Sequence, residues 1–254
     1  VTSPAGVPIT GVDPLLVDVY AGDLNGLPNW QHLAELGAPW HGAIIKATEG
    51  TWYAPGWFDT NWRQIRHVAV ERYGIDWFRG AYHFLKFEAP GIKQAELYLA
   101  TVARAGGWDV GDFWPIVDVE LGGERNSNRN ATAAQVVDCT MGFAEKCKRE
   151  TGRDVMLYGN GAMRDLGIHD RMGCDWLWLP RYTTSLPPFV YERSGWSAKE
   201  LVMWQYSGDG QSVLAGYPRS PLGFGKCDVS ALVLEGGIQR LRSLLWAEDP
   251  KSAA

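Results

Sequence analysis

Phe113-Trp114-Pro115-Ile116-Val117-Asp118-Val119-Glu120 is an apolar run that turns acidic at its end and stops at Gly122-Gly123. The pattern predicts a buried strand with two carboxylates at its exit. Side chains two apart on a strand share a face, so Asp118 and Glu120 point the same way as Ile116, while Val117 and Val119 face an apolar layer on the other side. Two carboxyls a few ångströms apart titrate as a coupled pair, and the less solvated member keeps its proton toward neutral pH, as a general acid requires. Taken alone the Asp-x-Glu spacing is a weak signal, since an ordinary strand end with two solvated acids has the same letters.

The rhythm on either side adds to it. Leu15 to Tyr20 is a short apolar run with Asp18 inside, and an acid there is costly unless it is used or paired. Pro28 to Leu36 predicts a brief helix closed by Gly37, Gly42 to Gly50 a second strand, and Trp57 to Tyr73 a helix stopped by Gly74. Gly80 to Phe87 is a third strand, followed by a helix from about Gly91 to Ala105 that Gly106-Gly107 closes. Beyond the opening stretch, Thr132 with Gln135 three residues on forms a capping box for a helix to Thr151, closed by Gly152, and Asp154 to Asn160 is a fifth strand. Such alternation argues for a parallel sheet with crossover helices.

After residue 174 the rhythm changes. Asp175 to Pro180, Leu201 to Tyr206 and Cys227 to Ser230 look like strands, but the sequence between them is rich in Pro and Gly rather than helical. An amphipathic helix from about Gly237 to Trp246 comes next, with Ile238, Leu241, Leu244 and Leu245 on one side. The count is eight strands, the last three without proper helices between them. In an α/β barrel the C-terminal ends of the strands converge on one face. Asp18, Lys46, Tyr82, Asp118, Glu120, Trp178 and Asp228 all lie in or at the ends of predicted strands, and closure makes the eighth strand a neighbour of the first. Clustered carboxylates of that kind usually act on something.

Composition narrows the classes. The 254 residues, 46% apolar, suffice for one large core, and α/β barrels of about 250 residues form single domains. One catalytic domain over residues 1–254 is therefore expected, with its core at 15–246 and a frayed tail at 247–254. A formal charge of −5, a pI near 5.6 and scattered Lys/Arg offer nothing to nucleic acid. No apolar run is long enough for a bilayer, and the N-terminus lacks the charged-then-apolar layout of a signal peptide. No Cys-x-x-Cys or His-Glu-x-x-His spacing suggests a metal, and no cofactor is expected. Cys139 and Cys147, eight apart in a helix, are separated by roughly 12 Å along its axis, too far for a disulfide. Cys174 and Cys227 could pair only if the fold joins them; buried reduced thiols are the plainer reading. Thirteen tryptophans and ten tyrosines suit stacking on the C–H faces of sugars, as well as core packing.

These pieces, in this order, resemble glycoside hydrolase family 25, the lysozymes (N-acetylmuramidases) typical of phage endolysins and of some bacteria and fungi. The resemblance runs from about Leu16 to Leu232 and rests on Val17-Asp18-Val19, Ile45-Lys46-Ala47-Thr48-Glu49-Gly50, Gly80-Ala81-Tyr82-His83-Phe84, Pro115 to Glu120, Trp178 to Tyr182, Trp204-Gln205-Tyr206-Ser207 and Cys227-Asp228-Val229. It implies an irregular TIM-like barrel of five βα units followed by three strands, and cleavage of the β-1,4 bond between N-acetylmuramic acid and N-acetylglucosamine in peptidoglycan. It makes Glu120 the proton donor, Asp118 its partner, Asp18 and Asp228 flanking acids, Lys46 and Tyr82 pocket residues and Trp178 an aromatic lining the sugar cleft. The chain departs from the family at Val19-Tyr20-Ala21, where a Ser usually stands two after the Asp, and in the length of segments 121–130 and 183–200. No wall-binding repeat follows the catalytic region. The resemblance places the reaction at the bacterial cell wall, by a free monomer or one carried on a phage particle.

Two mechanisms compete. A second carboxylate can attack the anomeric carbon, which wants the acids about 5–5.5 Å apart, or the sugar's N-acetyl group can attack while Asp118 stabilises the charge developing on it. Neighbours on one strand favour the second, and both retain the anomeric configuration. A non-catalytic glycan-binding protein on the same barrel is the alternative function. A chitinase-like enzyme is another, although its further upstream aspartates are replaced here by Pro115 and Ile116. His83 is expected as a hydrogen-bonded histidine beneath the site and His32, His41, His67 and His169 at the surface. Glu49, which alternates away from Lys46 and Thr48, is not expected to be catalytic, and Asn130-Ala131-Thr132 fits a glycosylation sequon.

Overall fold

Every residue of β1 (Leu15–Val19) is buried, the condition of a strand covered on both faces. It pairs in parallel with β2 (Trp40–Glu49) and antiparallel with β9 (Asp228–Leu232). From β2, parallel pairing continues through β3 (Phe78–Phe84), β4 (Ile116–Asp118), β5 (Met156–Tyr158), β6 (Trp176–Pro180) and β7 (Leu201–Gly208). Antiparallel pairing of β7 with β9 then closes the ring. The result is an α/β barrel of eight strands, with a two-residue strand, β8 (Gln211–Ser212), attached to β7. The computed structural model describes residues 14–20, 28–72, 77–123, 126–183, 195–208, 211–212, 217–222 and 224–247.

The helices start and stop where local chemistry says they must. In α1 (Trp30–Leu36) the Asn29 side chain accepts from His32 N, and Gly37 comes next at φ 64°. In α4 (Ala133–Thr151) Thr132 and Gln135 form the predicted capping box, and Gly152 ends the helix in the left-handed conformation at φ 68°. Proline stands at the N-cap of both α2 (Gly56–Arg66) and α3 (Gly91–Arg104). A π-helical turn, His67–Arg72, continues α2; the expected stop at Gly74 lies outside the described residues. A Cβ on Gly91 would fall 1.8 Å from the Cys139 carbonyl oxygen, so α3 and α4 meet there backbone to backbone.

Several expectations need correction. The strands are shorter than the apolar runs: only Ile116–Asp118 of the opening stretch pairs as a strand, because Pro115 has no N–H to give the ladder and Glu120 already belongs to the loop. A short helix, α5 (Gly161–Leu166), succeeds β5 and completes the five βα units that the resemblance implied, although its own stretch has no periodicity long enough to announce it. The eighth barrel strand runs antiparallel to both its neighbours, so Asp228 reaches the C-terminal face from the start of its strand, not the end. The rim segments are described except for 124–125 and 184–194, and the expected frayed tail lies outside the described residues apart from Ala247, the last residue of α6 (Gly237–Ala247).

Alternation along the strands builds two apolar layers. Val17, Val19, Ala43, Ile45, Val117 and Val119 pack outward against the helices, while Leu16, Ile44, Phe78, Ile116, Met156 and Trp178 fill the barrel. Leu241 and Leu245 of α6 join the inner cluster, together with Leu234 just past the end of β9. That helix therefore closes the end of the barrel opposite Asp228. All four cysteines are buried and none is in a disulfide, and no described helix is long and apolar enough to cross a membrane.

Candidate active site

A cleft of about 340 Å³ opens at the C-terminal ends of the parallel strands, lined by Asp18, Lys46, Tyr82, Asp118, Glu120, Trp178 and Asp228 together with Tyr20, Glu49, Phe84, Asn126 and Tyr158. Every residue singled out from the sequence is thus in one place. Asp118, the last residue of β4, is 6% exposed, and its buried Oδ1 has no hydrogen-bond partner among the described residues. Glu120, half-buried, stands two residues on in the loop. The fully buried Asn128 holds that loop: its Nδ2 donates to the carbonyls of Glu120 (2.9 Å) and Leu85 (2.7 Å), while its Oδ1 accepts from Phe87 N.

Burial raises both carboxyls of the pair. Asp118 goes well above the usual aspartate range through burial and the Glu120 charge beside it; burial also raises Glu120, against the pull of Lys46. The less solvated member is therefore Asp118, whereas the resemblance makes Glu120 the donor. In the free protein the deeper group holds its proton the more firmly.

Lys46 is not a free cation. Its Nζ sits 2.6 Å from Glu49 Oε2 and 4.8 Å from the centre of the Phe84 ring, and Lys86 reaches Glu49 Oε1 at 3.1 Å. Burial opposes ionisation of Glu49, but the two lysines outweigh it and hold that carboxyl below its usual range. The simple alternation that turned Glu49 away fails because the β2–β3 register shifts between Lys46 and Thr48; such a bulge places one extra residue in the strand and re-aims the side chains beyond it.

Opposite, Asp18 and Asp228 are cross-strand partners, and Gln205 of β7 donates from Nε2 to Oδ2 of each, at 3.0 and 3.2 Å. Tyr82 pairs with Lys46 across β2 and β3. Trp178 lines the cleft but is 2% exposed, edge-on to Tyr158 with ring centres 4.5 Å apart, and its Nε1 donates to Ser230 Oγ. It braces β6 against β9 more than it offers a face to a ligand. His83 lies beneath the site, its ring nitrogens bonded to Thr48 Oγ1 and Gln94 Oε1; burial drives its pKa down to about 4, so it is neutral. His32 and His41 are half-buried rather than exposed. Among the described residues no group of three His, Cys, Asp or Glu could hold a metal.

Sequence reasoning missed Glu49, Tyr158 and Gln205 as members of the site. The signal for Gln205 was present: an amide inside Leu201 to Tyr206 also costs free energy to bury unless it is partnered, though less than an ionised acid does.

With the geometry in place, comparison with known proteins is direct. The family model described as "Glycosyl hydrolases family 25" matches residues 17–213. YegX of Escherichia coli K12, described as uncharacterized, is 25% identical over 186 residues, covering 72% of this chain and 60% of YegX. Lysozyme M1 of Streptomyces globisporus is 26% identical over 208 residues, 80% of this chain and 64% of that protein. The chain thus spans less than two thirds of the length of these curated relatives. The crystal structure of a bacterial lysozyme from Streptomyces coelicolor superposes with a TM-score of 0.70 at 23% identity, covering 95% of this chain and 100% of that one; at that identity the likeness is one of fold.

Proposed function

The chain belongs to glycosyl hydrolases family 25, and from that premise we propose that it is a peptidoglycan hydrolase, an N-acetylmuramidase cutting the β-1,4 bond between N-acetylmuramic acid and N-acetylglucosamine with retention. The observation that carries the reading is a buried carboxyl oxygen, Asp118 Oδ1, left without a partner among the described residues at the floor of a cleft and two residues from a second raised carboxyl. A buried acceptor of that kind is stable only if protonated or if a ligand supplies a donor. The acetamido N–H of a muramic acid residue is such a donor.

When that N–H reaches Asp118 it favours the carboxylate there, and the pair's remaining proton sits on Glu120. Glu120 then protonates the glycosidic oxygen as the acetamido carbonyl oxygen attacks the anomeric carbon. The C–O bond to the leaving sugar breaks, an oxazoline ring forms, and Asp118 offsets the positive charge on its nitrogen. Water, giving its proton to Glu120, opens the ring from the opposite face. Two inversions restore the starting configuration. Asp18, Asp228, Lys46 and Tyr82 position the sugar by hydrogen bonds, and Trp178 forms the wall.

Digestion of purified peptidoglycan followed by borohydride reduction should yield muramitol, and muramic acid lacking its acetyl group should resist cleavage. Glucosaminitol as the sole product would overturn the specificity. A glycan found by mass spectrometry on Asp18, Asp118 or Asp228 of trapped enzyme would overturn the substrate-assisted route.

A further inference from the structure

Among the described residues Trp52 alone of the tryptophans is exposed, at 74%. The others pack inside the barrel or against its helices, Trp178 included, so the indole that lines the cleft keeps its faces for the core. One exposed apolar residue needs no explanation by itself, but this one ends a row of rings that begins in the cleft. Lys46 Nζ lies 4.8 Å from the centre of the Phe84 ring, 5.7 Å from that of Tyr20 and 5.9 Å from that of Tyr53. Tyr53 then meets Trp52 edge to face, with ring centres 5.8 Å apart. Tyr20, Lys46 and Phe84 belong to the cleft wall, and Trp52 stands one side chain beyond it.

The backbone holds it there. Glu49 and Tyr53 exchange both of their main-chain hydrogen bonds, at 3.0 and 3.2 Å, and so close the three-residue turn Gly50-Thr51-Trp52. Gly50 takes φ 56°, a left-handed value that suits a residue without a Cβ, and its N–H donates to the Phe84 carbonyl at the end of β3. A Cβ on it would fall 3.1 Å from Lys86 Cγ and 3.7 Å from Trp52 Nε1, so the indole and the Lys86 stem both lie against the glycine. Lys86 Nζ in turn reaches Glu49 Oε1 and Asn126 Oδ1, at 3.1 Å each, and both of those residues line the cleft. The turn is thus fastened to the cleft wall from two sides. An aromatic ring presented in this way gives a large contact area with few rotatable bonds left to freeze.

We propose that Trp52 is a substrate-binding residue, a platform on which a hexosamine ring of the glycan strand, outside the two sugars that share the cut bond, stacks its C–H face. The inference deepens the glycosidase reading and rests on it for the identity of the ligand. In a β-linked hexosamine the axial C–H bonds make a face of the pyranose apolar, and a flat indole covers that face while the equatorial hydroxyls stay in water. Lys86 beside the turn is paired with Glu49, so what the turn presents outward is the ring and not a cation. Binding energy gathered from a sugar that does not react is available to hold the reacting one in place, which makes a long strand a better substrate than a short one.

The test is calorimetric binding of alternating N-acetylglucosamine and N-acetylmuramic acid oligosaccharides, of two and of six sugars, to the full chain carrying Glu120→Gln so that nothing is cut. Trp52→Ala in that background should weaken the hexasaccharide ~5–10-fold, the scale of one aromatic contact, and leave the disaccharide where it was. Trp52→Tyr, which keeps a flat ring, should hold the hexasaccharide within about twofold, and Trp52→Leu, which keeps only apolar bulk, should behave as Trp52→Ala does. The side chain is exposed, so these variants fold. Hexasaccharide affinity unmoved by Trp52→Ala, an equal loss for both lengths, a Trp52→Leu variant that binds like the parent, or no binding of the hexasaccharide would each overturn the proposal. So would a Trp52→Ala change confined to the oligomeric state, which would give the ring to a second copy of the chain. Cleavage by the unmodified chain is read separately: muramitol released with hexasaccharide affinity indifferent to Trp52 sinks this inference alone, and length-dependent binding without cleavage sinks the hydrolase reading alone.

Discussion

At the end of the barrel where the parallel strands begin, Arg79 of β3 is 4% exposed and answered on every side. Its Nε and Nη2 bind both oxygens of Asp112 at 3.0 and 2.5 Å, Nη2 also reaches Asp109, Nη1 donates to the Trp62 carbonyl, and the guanidinium lies 3.7 Å from the centre of the Trp62 ring. At the other end Asp118 is just as deeply buried, and among the described residues one of its oxygens has no partner. Both groups sit on the same sheet, on the paired strands β3 and β4. The difference teaches how to tell a buried group that anchors a fold from one held in reserve. The first is surrounded by partners from its own chain, and the second leaves a bond for a ligand to make.

The sharpest test of that distinction removes one group from each end. Glu120→Gln should cut wall lysis ~10²–10⁴-fold, the usual range for a general acid, with the thermal midpoint no lower than wild type; normal clearing of cell walls by this variant would sink the assignment. Arg79→Met should do the reverse. It strands Asp112 without its cation, at a cost of about 3–5 kcal/mol in stability, measured by denaturant unfolding, while activity per folded molecule stays near wild type. If Arg79→Met abolished catalysis in a protein that remained folded, the two ends would not be separable.

Acid and base should act in opposite senses on two buried groups near the cleft. His83 is neutral when folded, with its pKa lowered from 6.5 to about 4 by burial. Its contribution is fully present above 6.5 and is lost as pH falls through that window, on the order of 3 kcal/mol by linkage. Unfolding measured from pH 7 to 4 should show this slope, and His83→Gln should flatten it. Asp118 is shifted the other way: its folded pKa lies above the 3.8 of a free aspartate, so its stabilising contribution is present below 3.8 and lost as pH rises through the folded value. The smallest effect is therefore that Asp118→Asn, though it loses activity, melts above wild type by a margin that grows as pH climbs from 3.8. A margin that does not depend on pH would mean Asp118 is not buried as a carboxyl.

What could be read from the letters alone was whatever local chemistry dictates. Thr132, Gln135 and Gly152 bound α4 to the residue because caps act within one turn. The strand that carries Asp118 could be found because its two faces alternate between layers. What could not be read depends on strands far apart in the chain. The bulge that turns Glu49 into the cleft exists only against β3, and the direction of β9 is fixed by β1 and β7 together. Gln205 has neutral chemistry, and its importance lies in four partners drawn from distant segments.

The antiparallel seam has a consequence for the order of events during synthesis. β9 lies between β1 and β7, so the ring stays open until β9 itself has emerged from the ribosome. Glu120 and Asp118 are translated before β9, and Asp228 cannot stand beside Asp18 until that strand docks against β1. Contacts that distant in sequence form slowly. While the chain between Glu120 and Asp228 is being made, the two candidate carboxyls already exist and the cleft they are to face does not.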